Sequence, residues 1–465
     1  MGAVLPATVL RGDSSTEWRR YLLSNFRISC IIIRDDKRNF SEDTQFQEVL
    51  LIASKSEERS NFIDYIIIHH LDSHLSDDIS LAISSTSHNG DFDFGSFIHR
   101  RVSTNDIDIS NLFRPVSVSD ARILRLLDRL HDLDVMEPLG NIATDIRSKD
   151  QAEPRLGPTF SRFSLNERHS THNRSDSWQV VNSLPSSFVV RNLQSGDEVE
   201  VPNSSLARLF RRIPYRGKMN VTPLEEFVVK ERFDGFERFS QLSGVRSVQW
   251  TRWQDYLSSR TSNLAIADRL DVSAPGTRLL SYVDEKSRVW ARIPASVSGI
   301  SIDDAKILCL WFNSTFGVLE AIVERMPTRG AYLQLHAFIL KTMPVIDPRR
   351  LPSETRMKLL AVYGELCNVE FPSLREQFAR LVSDVDAALR SRVKSDFPDD
   401  AAIHMGEGFY PREHLDKTIL ECLGFGSDAI RETMSWIYRA TLETILMLYE
   451  LMEGANSIDE MSVDG

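Results

Sequence analysis

The chain has 465 residues, of which 42% are hydrophobic and 26% are charged, which is enough for two or three domains with buried cores. The net charge of −11 excludes a uniformly basic nucleic-acid-binding protein, so any such site must be a local basic patch. The four cysteines are widely spaced and form no Cys-x-x-Cys pair, which argues against a zinc ribbon and a disulfide framework and favours a cytoplasmic protein. We expect neither a signal peptide nor a membrane span, because the most apolar late segment, 437–452, is short and charged.

The first hundred residues alternate strand and helix patterns. Residues 1–10 predict a strand that runs into a turn, and residues 16–25 predict a short amphipathic helix. Three further strands are predicted at 27–34, 47–53 and 61–69, all rich in β-branched residues. This order is typical of the second half of an open α/β sheet.

The residues of this segment also resemble a known family. The run Ala3-Val4-Leu5-Pro6-Ala7, the strand at 27–34 and the loop Phe40-Ser41-Glu42-Asp43-Thr44 follow one another as in the last strands of the catalytic domain of adenine-specific, amino-methylating DNA methyltransferases. The resemblance covers residues 2–55 and implies the C-terminal part of a Rossmann-like methyltransferase sheet over 1–100. It also implies an S-adenosylmethionine cofactor in the intact enzyme.

In that family, a Gly-rich turn binds the methyl donor and an Asn-Pro-Pro-Tyr/Phe loop holds the flipped adenine. Both precede the Val-Leu-Pro-Ala strand, and neither motif occurs in this sequence. The candidate Gly424-Phe425-Gly426 follows no strand and predicts a helix cap. We therefore assign no catalytic and no cofactor-binding residue, and expect either an upstream methyltransferase chain that supplies both sites or an inactive remnant.

Residues 101–135 predict a connector that contains one helix, 120–133, with an apolar face. Shortly before it, His69, His70 and His74 form a small cluster. No carboxylate completes a metal motif there, and a solvated strand end explains the cluster better, so no metal site is predicted.

Three motifs predict a second domain over 136–350. The run 138–143 resembles the Leu-Gly-(Asp/Glu)-Ile-Ala opening of restriction target-recognition domains. Asn313-Ser314-Thr315 lies within a predicted apolar helix, 305–325, and the exit Met343-Pro344-Val345 ends the segment, as in adenine methyltransferases and specificity subunits. The resemblance implies a mixed α+β target-recognition domain that binds double-stranded DNA.

The clearest basic patch is 205–220, where arginine and lysine alternate with aromatic residues and no acidic residue intervenes. Such a patch suits phosphate contacts, although an exposed helix end with ordinary surface charge has the same composition. Further candidates for base contacts follow later in the domain. The predicted DNA-binding residues are Arg208, Arg211, Arg212, Arg216, Lys218, Arg252, Arg260, Arg329, Gln334 and Lys341.

Residues 351–465 predict a helical region, with helices at 357–367, 373–389 and 428–452 and a further helix that begins near Pro411. Ser373 is expected to cap its helix. The run Arg412-x-x-Leu415-Asp416-x-x-Ile419-Leu420 resembles a pattern near the end of the same family.

The sequence thus predicts the DNA-recognition portion of an adenine-specific DNA methyltransferase from a restriction-modification or phage-defence system. The alternatives are an inactive remnant or a protein that binds DNA or another partner without methyl transfer. An enzyme of another class is disfavoured, because the acidic run Asp284-Glu285-Lys286 is expected to be a turn between strands and no other nuclease-like cluster occurs.

Overall fold

A computed structural model provides the structure of the chain. It describes residues 2–34, 40, 47–56, 61–69, 74–86, 88–148, 159–161, 178–210, 217–224, 226–242, 250–291, 294–328, 331–397 and 401–461. Within these residues the fold is mixed α/β.

The strands are β1 Gly2–Pro6, β2 Phe26–Arg34, β3 Glu48–Lys55, β4 Phe62–Ile68, β5 Gly90–Asp93, β6 Phe97–Ser103, β7 Met136–Pro138, β8 Asp145–Arg147, β9 Thr159–Ser161, β10 Trp178–Ser183, β11 Ser187–Asn192, β12 Glu198–Pro202, β13 Leu206–Phe210, β14 Glu226–Val229, β15 Thr261–Ala267, β16 Arg269–Asp271, β17 Ser281–Trp290, β18 Pro294–Ser298, β19 Tyr332–Gln334 and β20 Pro344–Ile346. The helices are α1 Thr16–Asn25, α2 Leu75–Ser85, α3 Ala121–His131, α4 Leu139–Ile142, α5 Phe236–Leu242, α6 Trp250–Ser259, α7 Ile302–Asn313, α8 Thr315–Glu324, α9 Ala337–Thr342, α10 Ser353–Leu366, α11 Leu374–Leu381, α12 Ala387–Asp396, α13 Tyr410–Cys422 and α14 Ser427–Met461.

The N-terminal sheet has six strands in the order β1-β3-β2-β4-β6-β5, and only β2 and β4 pair in parallel. Helix α1 matches its predicted bounds, and the three strands after it match to within about two residues. The predicted strand that runs into a turn is confirmed, since β1 ends at Pro6 and a 3₁₀ turn, Ala7–Leu10, follows it.

Strand β1 is an edge of this sheet, and in the described residues it pairs with β3 alone. Val4 of β1 lies opposite Leu50, and Ile52 of β3 lies opposite Gly2. The two apolar side chains remain 45% and 38% exposed, whereas the centre of the sheet, such as Ile31 and Val49, is fully buried. The edge therefore combines unpaired backbone groups with apolar surface.

A second sheet has ten strands in the order β12-β11-β10-β9-β14-β13-β17-β15-β18-β8. Strand β17 includes Asp284, Glu285 and Lys286, where the sequence predicted a turn between strands. The pairing of β17 with β15 shifts register there, and Ser287 has a φ of +58°, so the run lies in a bulge within the strand. Residues 178–202 hold the three consecutive strands β10, β11 and β12, which form one end of this sheet in the described residues.

The predicted single helix 305–325 is two helices, α7 and α8, bent by 74°. Ser314 interrupts the helix with an extended backbone, and its Oγ accepts a hydrogen bond from Gly317 N at 3.1 Å, which caps α8. The Asn313 side chain accepts from Leu280 N at 2.8 Å and donates to Ser281 O at 2.8 Å. The polar run in the apolar segment is therefore a buried elbow that anchors α7 to β17.

No single helix in the described ranges is long and apolar enough to cross a membrane; only the bent pair α7–α8 reaches that length and apolarity. Both helices of the pair are almost entirely buried.

The C-terminal region is helical, as predicted. The predicted helix 373–389 ends at Leu381 and resumes at Ala387 as α12. Ser373 caps α11 as expected, since its Oγ accepts from Glu376 N at 3.3 Å.

Candidate nucleic-acid interface

Arg208, the first residue of the predicted basic patch, lies on strand β13 and is not part of a helix end. Its guanidinium donates to Asp284 Oδ2 at 3.1 Å and to the carbonyl of Thr222. Asp284 is fully buried and also accepts from Arg288 Nε at 2.5 Å. Arg208 thus joins an ion-pair cluster around the buried Asp284, while its own side chain is 23% exposed, and its contact with DNA remains a prediction.

Arg260 is also a structural residue, with only 4% of its surface exposed. Its guanidinium donates to the carbonyls of Trp290 at 2.8 Å, Pro294 at 2.6 Å and Arg147. These carbonyls belong to three separate segments, so the side chain ties them together and is turned away from solvent. The prediction that Arg260 contacts DNA was wrong.

The remaining predicted residues fall into two groups. Arg211, Arg212, Arg216 and Arg329 lie outside the described residues, as does the side chain of Arg252. Lys218 and Lys341 are exposed, and Gln334 is half-buried on β19. The contacts of all these residues with DNA remain predictions.

Gln334 belongs to a two-stranded antiparallel ribbon formed by β16 and β19. Arg269 lies directly opposite Gln334, Leu270 opposite Leu333, and Asp271 opposite Tyr332. The two leucines are buried, whereas the other two pairs alternate with them on the outward face. The ribbon therefore presents an arginine and a glutamine side by side.

Backbone hydrogen bonds hold both ends of this ribbon. Leu335 N donates to Asp268 O at 2.8 Å, and Val272 N donates to Ala331 O at 3.1 Å. Met326 N donates to Gln334 O at 3.0 Å, which fixes the ribbon to the end of the α8 segment. The outward side chains thus stand on a rigid base.

The outward face also carries an acidic residue, Asp271, and an aromatic residue, Tyr332. Asp271 Oδ1 accepts from Ser273 N at 2.8 Å and from Ser273 Oγ at 2.6 Å, so this carboxylate caps its own turn. Tyr332 is 39% exposed. Burial raises the pKa of its hydroxyl, Arg269 lowers it, and Asp268 and Asp271 raise it further. The Tyr332 hydroxyl therefore keeps its proton at neutral pH and is a hydrogen-bond donor.

Helix α9 continues from the ribbon and adds aromatic and basic side chains. The rings of His336 and Phe338 stack at 5.9 Å with 9° between their planes. Arg11, from the loop after β1, places its guanidinium 5.7 Å from the centre of the Phe338 ring. Lys341 follows in the same helix. Arg11 is only 4% exposed and also donates to Glu324 Oε2 at 2.9 Å, so it joins the segment after β1 to α8 and α9.

Sequence reasoning found Gln334 and Lys341 here but missed Arg269 and Tyr332. The signal for them was present, because Arg269-Leu270-Asp271 alternates polar and apolar residues as a half-buried strand does. Its partner strand is more than sixty positions away in the chain, so the juxtaposition of Arg269 with Gln334 was not accessible.

The described residues do not fit a methyl-donor site at Gly424-Phe425-Gly426. Gly424 has a φ of +85° and ends helix α13, and Phe425 N closes the turn by donating to Leu420 O at 3.0 Å. The helix cap predicted from the sequence is confirmed. These glycines serve the helix end, and we derive no catalytic step from them.

Two motifs that are about a hundred residues apart meet in the buried core. Asp416 Oδ1 accepts from Thr315 N at 2.7 Å, and Asp416 Oδ2 accepts from Thr315 Oγ1 at 2.5 Å. Arg412 Nε donates to Gln377 Oε1 at 2.8 Å beside them. The Asn313-Ser314-Thr315 elbow and the Arg412-x-x-Leu415-Asp416 run therefore form one structural unit in which Asp416 caps the start of α8.

The opening and exit motifs of the predicted second domain also lie next to each other in the fold. Strand β20, which contains the Pro344-Val345 exit, pairs with β7 at the predicted opening of the second domain. Pro344 lies opposite Pro138 and Ile346 opposite Met136. The predicted first and last residues of this domain are thus neighbours, although its exact division from the rest of the chain remains a prediction.

Comparison with known proteins gives no sequence relative, and the solved structures that match include two proteins of restriction systems. No protein-family model and no curated protein matches the chain. The type IIG restriction endonuclease BpuSI is 12% identical, with a TM-score of 0.43; the match covers 98% of this chain and 48% of that one, so this chain spans about half its length. A modification subunit of a putative type I restriction enzyme from Vibrio vulnificus is 18% identical over 23% of each chain, with a TM-score of 0.19. Both TM-scores are too low to support a conclusion about activity.

Proposed function

We propose that this chain is the DNA-recognition portion of an adenine-specific DNA methyltransferase from a restriction-modification or phage-defence system. The observation that carries the proposal is the contact between Thr315 and Asp416. Each of the two motifs that contain these residues resembles this family by itself, and the fold brings them together. A chance resemblance of two short runs would not require them to share a buried contact.

The DNA-binding part of the proposal is supported by the ribbon surface. Arg269, Gln334 and Tyr332 offer hydrogen-bond donors on a rigid strand pair, and Lys341 lies on the helix that follows. A two-stranded ribbon is narrow enough for the major groove, which is about 12 Å wide. Lys218 and the basic run 211–216 are further candidates for phosphate contacts.

The partner in the proposal is a methyltransferase chain that binds S-adenosylmethionine and carries the catalytic loop. The open edge of β1 supports it, since a strand added there would satisfy the outer backbone groups of β1. Packing of the added unit would also cover Val4 and Ile52. Adding a strand in this way is a common mode of recognition between sheets.

Binding to duplex DNA across a salt series tests the recognition role. We expect the logarithm of the affinity to fall linearly with the logarithm of the salt concentration, because phosphate contacts release counterions. The double variant Lys218→Gln/Lys341→Gln should reduce the slope by about 2, at roughly one unit per lost contact. The control Lys358→Gln removes an exposed lysine that pairs with Glu421 on the C-terminal helices, and should leave the slope unchanged. Absence of duplex binding by the wild-type chain would contradict the proposal.

A further inference from the structure

The ribbon of β16 and β19 places two long polar side chains next to each other. Arg269 and Gln334 are direct cross-strand partners. Side chains in such positions leave the backbone from points about 5 Å apart and on the same face. Neighbouring base pairs in DNA are about 3.4 Å apart along the axis. Two long, flexible side chains that start about 5 Å apart on one face can converge by roughly the remaining 1–2 Å to reach adjacent base pairs.

The chemistry of the pair is selective. An arginine donates two hydrogen bonds to O6 and N7 of guanine, and a glutamine both donates to N7 and accepts from N6 of adenine. These are the two side chains best suited to bidentate contact with a purine in the major groove. Lys341 and Lys218, in contrast, are point charges that suit phosphates without regard to sequence.

The geometry of the ribbon fixes where these two residues stand relative to their neighbours. Asp271 is turned into its own loop by two hydrogen bonds with Ser273. The buried leucines and the backbone bonds at both ends fix the strands, so Arg269 and Gln334 start from a fixed base. Tyr332 retains its proton and presents a donor at the end of the same face.

We propose that this ribbon enters the major groove and that Arg269 and Gln334 specify a guanine and an adjacent adenine. The proposal rests on the proposed DNA-recognition function and extends it to named bases. Arg269 and Gln334 are specificity-determining residues, and the lysines supply affinity that does not depend on sequence.

Selection of bound duplexes from a randomised pool, followed by sequencing, tests the proposal with the full-length chain. The wild type should select a motif that contains an adjacent guanine and adenine. Arg269→Ala should lose the preference at the guanine alone, and Gln334→Ala at the adenine alone. Each variant should bind the selected duplex tenfold to a hundredfold more weakly, on the order expected for one bidentate contact, while binding to an unrelated duplex stays unchanged.

The control Arg431→Ala removes an exposed arginine at the start of α14 and should leave the motif unchanged. The thermal unfolding midpoint of each ribbon variant should equal that of the wild type, because both side chains lie on the outward face of the ribbon. A wild-type motif that neither ribbon variant alters, or a loss that is uniform across sequences, would overturn the base assignment but leave DNA binding standing. If the wild type binds no duplex at all, the proposed function fails and this inference fails with it.

Discussion

At the scale of single residues, the molecule separates charges that hold the fold from charges that face solvent. Arg208, Arg260 and Arg288 are basic residues whose guanidinium groups are used by buried acceptors. The residues next to these arginines in the chain do not indicate that the guanidinium groups bind buried acceptors. The carbonyls that bind Arg260 include those of Arg147 and Pro294, which are distant in the chain. Composition predicted a basic surface, and only the fold shows which arginines belong to it.

Arg260→Gln should destabilise the protein and not weaken DNA contacts specifically. The substitution leaves up to three carbonyls without a charged donor, which should cost on the order of 3 kcal/mol in the free energy of unfolding. The decrease is measured as a lower urea midpoint. Arg238→Gln is the matched control, since Arg238 is exposed and pairs with Asp197 at the surface, and it should leave the urea midpoint nearly unchanged. An unchanged midpoint with impaired duplex binding would restore Arg260 to the interface.

At the scale of elements, the elbow between α7 and α8 is the feature that sequence periodicity could not resolve. The apolar residues continue at helical spacing through the break, so the pattern predicts one helix. The break depends on Ser314 and Asn313, whose partners lie in the next turn and on β17. Short polar runs inside an apolar helix are signals for such a joint, and the direction of the bend follows from the packing.

Gly317→Ala tests the close packing of this elbow. A Cβ on Gly317 would lie 2.1 Å from Trp311 O and 2.8 Å from Phe312 Cα, which are both backbone atoms that cannot move aside separately. We expect a loss of about 1–3 kcal/mol or more in the free energy of unfolding. Gly364→Ala in α10 is the control, because nothing lies within 4 Å of its Cβ and alanine favours the helix by about 1 kcal/mol. Equal effects of the two substitutions would contradict the elbow geometry.

Helices α3 and α8 also share a titratable pair. His131 Nε2 lies 3.0 Å from Glu320 Oε2, and Glu320 is fully buried. Burial of the ring lowers the pKa of His131, but the Glu320 carboxylate outweighs burial; Arg114 lowers this pKa and Asp128 raises it, and the result is a raised pKa. The pair therefore stabilises the fold most when His131 is protonated.

The stabilisation that the pair of His131 and Glu320 provides decreases as the pH rises. The contribution of His131 should be complete below its unfolded pKa of about 6.5 and should be lost as the pH rises through the higher folded value. The difference in melting temperature between the wild type and His131→Gln should thus shrink from pH 6 to pH 9. His404→Gln, which removes an exposed histidine with a local partner, Glu407, is the control. A difference that grows with pH would show that the neutral ring is the stabilising form.

At the scale of the whole molecule, the order of elements was largely predictable and their association was not. The first half-sheet, the helical C-terminal region and the helix cap at Gly424 followed from periodicity and turn residues. The pairing of β7 with β20 and the contact of Thr315 with Asp416 are long-range and follow only from the fold. The methyltransferase partner that we propose has a candidate docking edge at β1, next to exposed Val4 and Ile52.

Methyl transfer tests the central claim most directly. Tritiated methyl transfer from S-adenosylmethionine to adenine-containing duplex DNA would be measured for this chain alone and with the product of the adjacent upstream reading frame. We predict transfer only in the mixture, and its loss with Val4→Lys/Ile52→Lys, which places charges at the β1 edge, while duplex binding by that variant alone is retained. Transfer by this chain alone would contradict the need for a partner. No transfer in the mixture, with salt-dependent duplex binding intact, would contradict the methyltransferase assignment and leave a DNA-binding remnant.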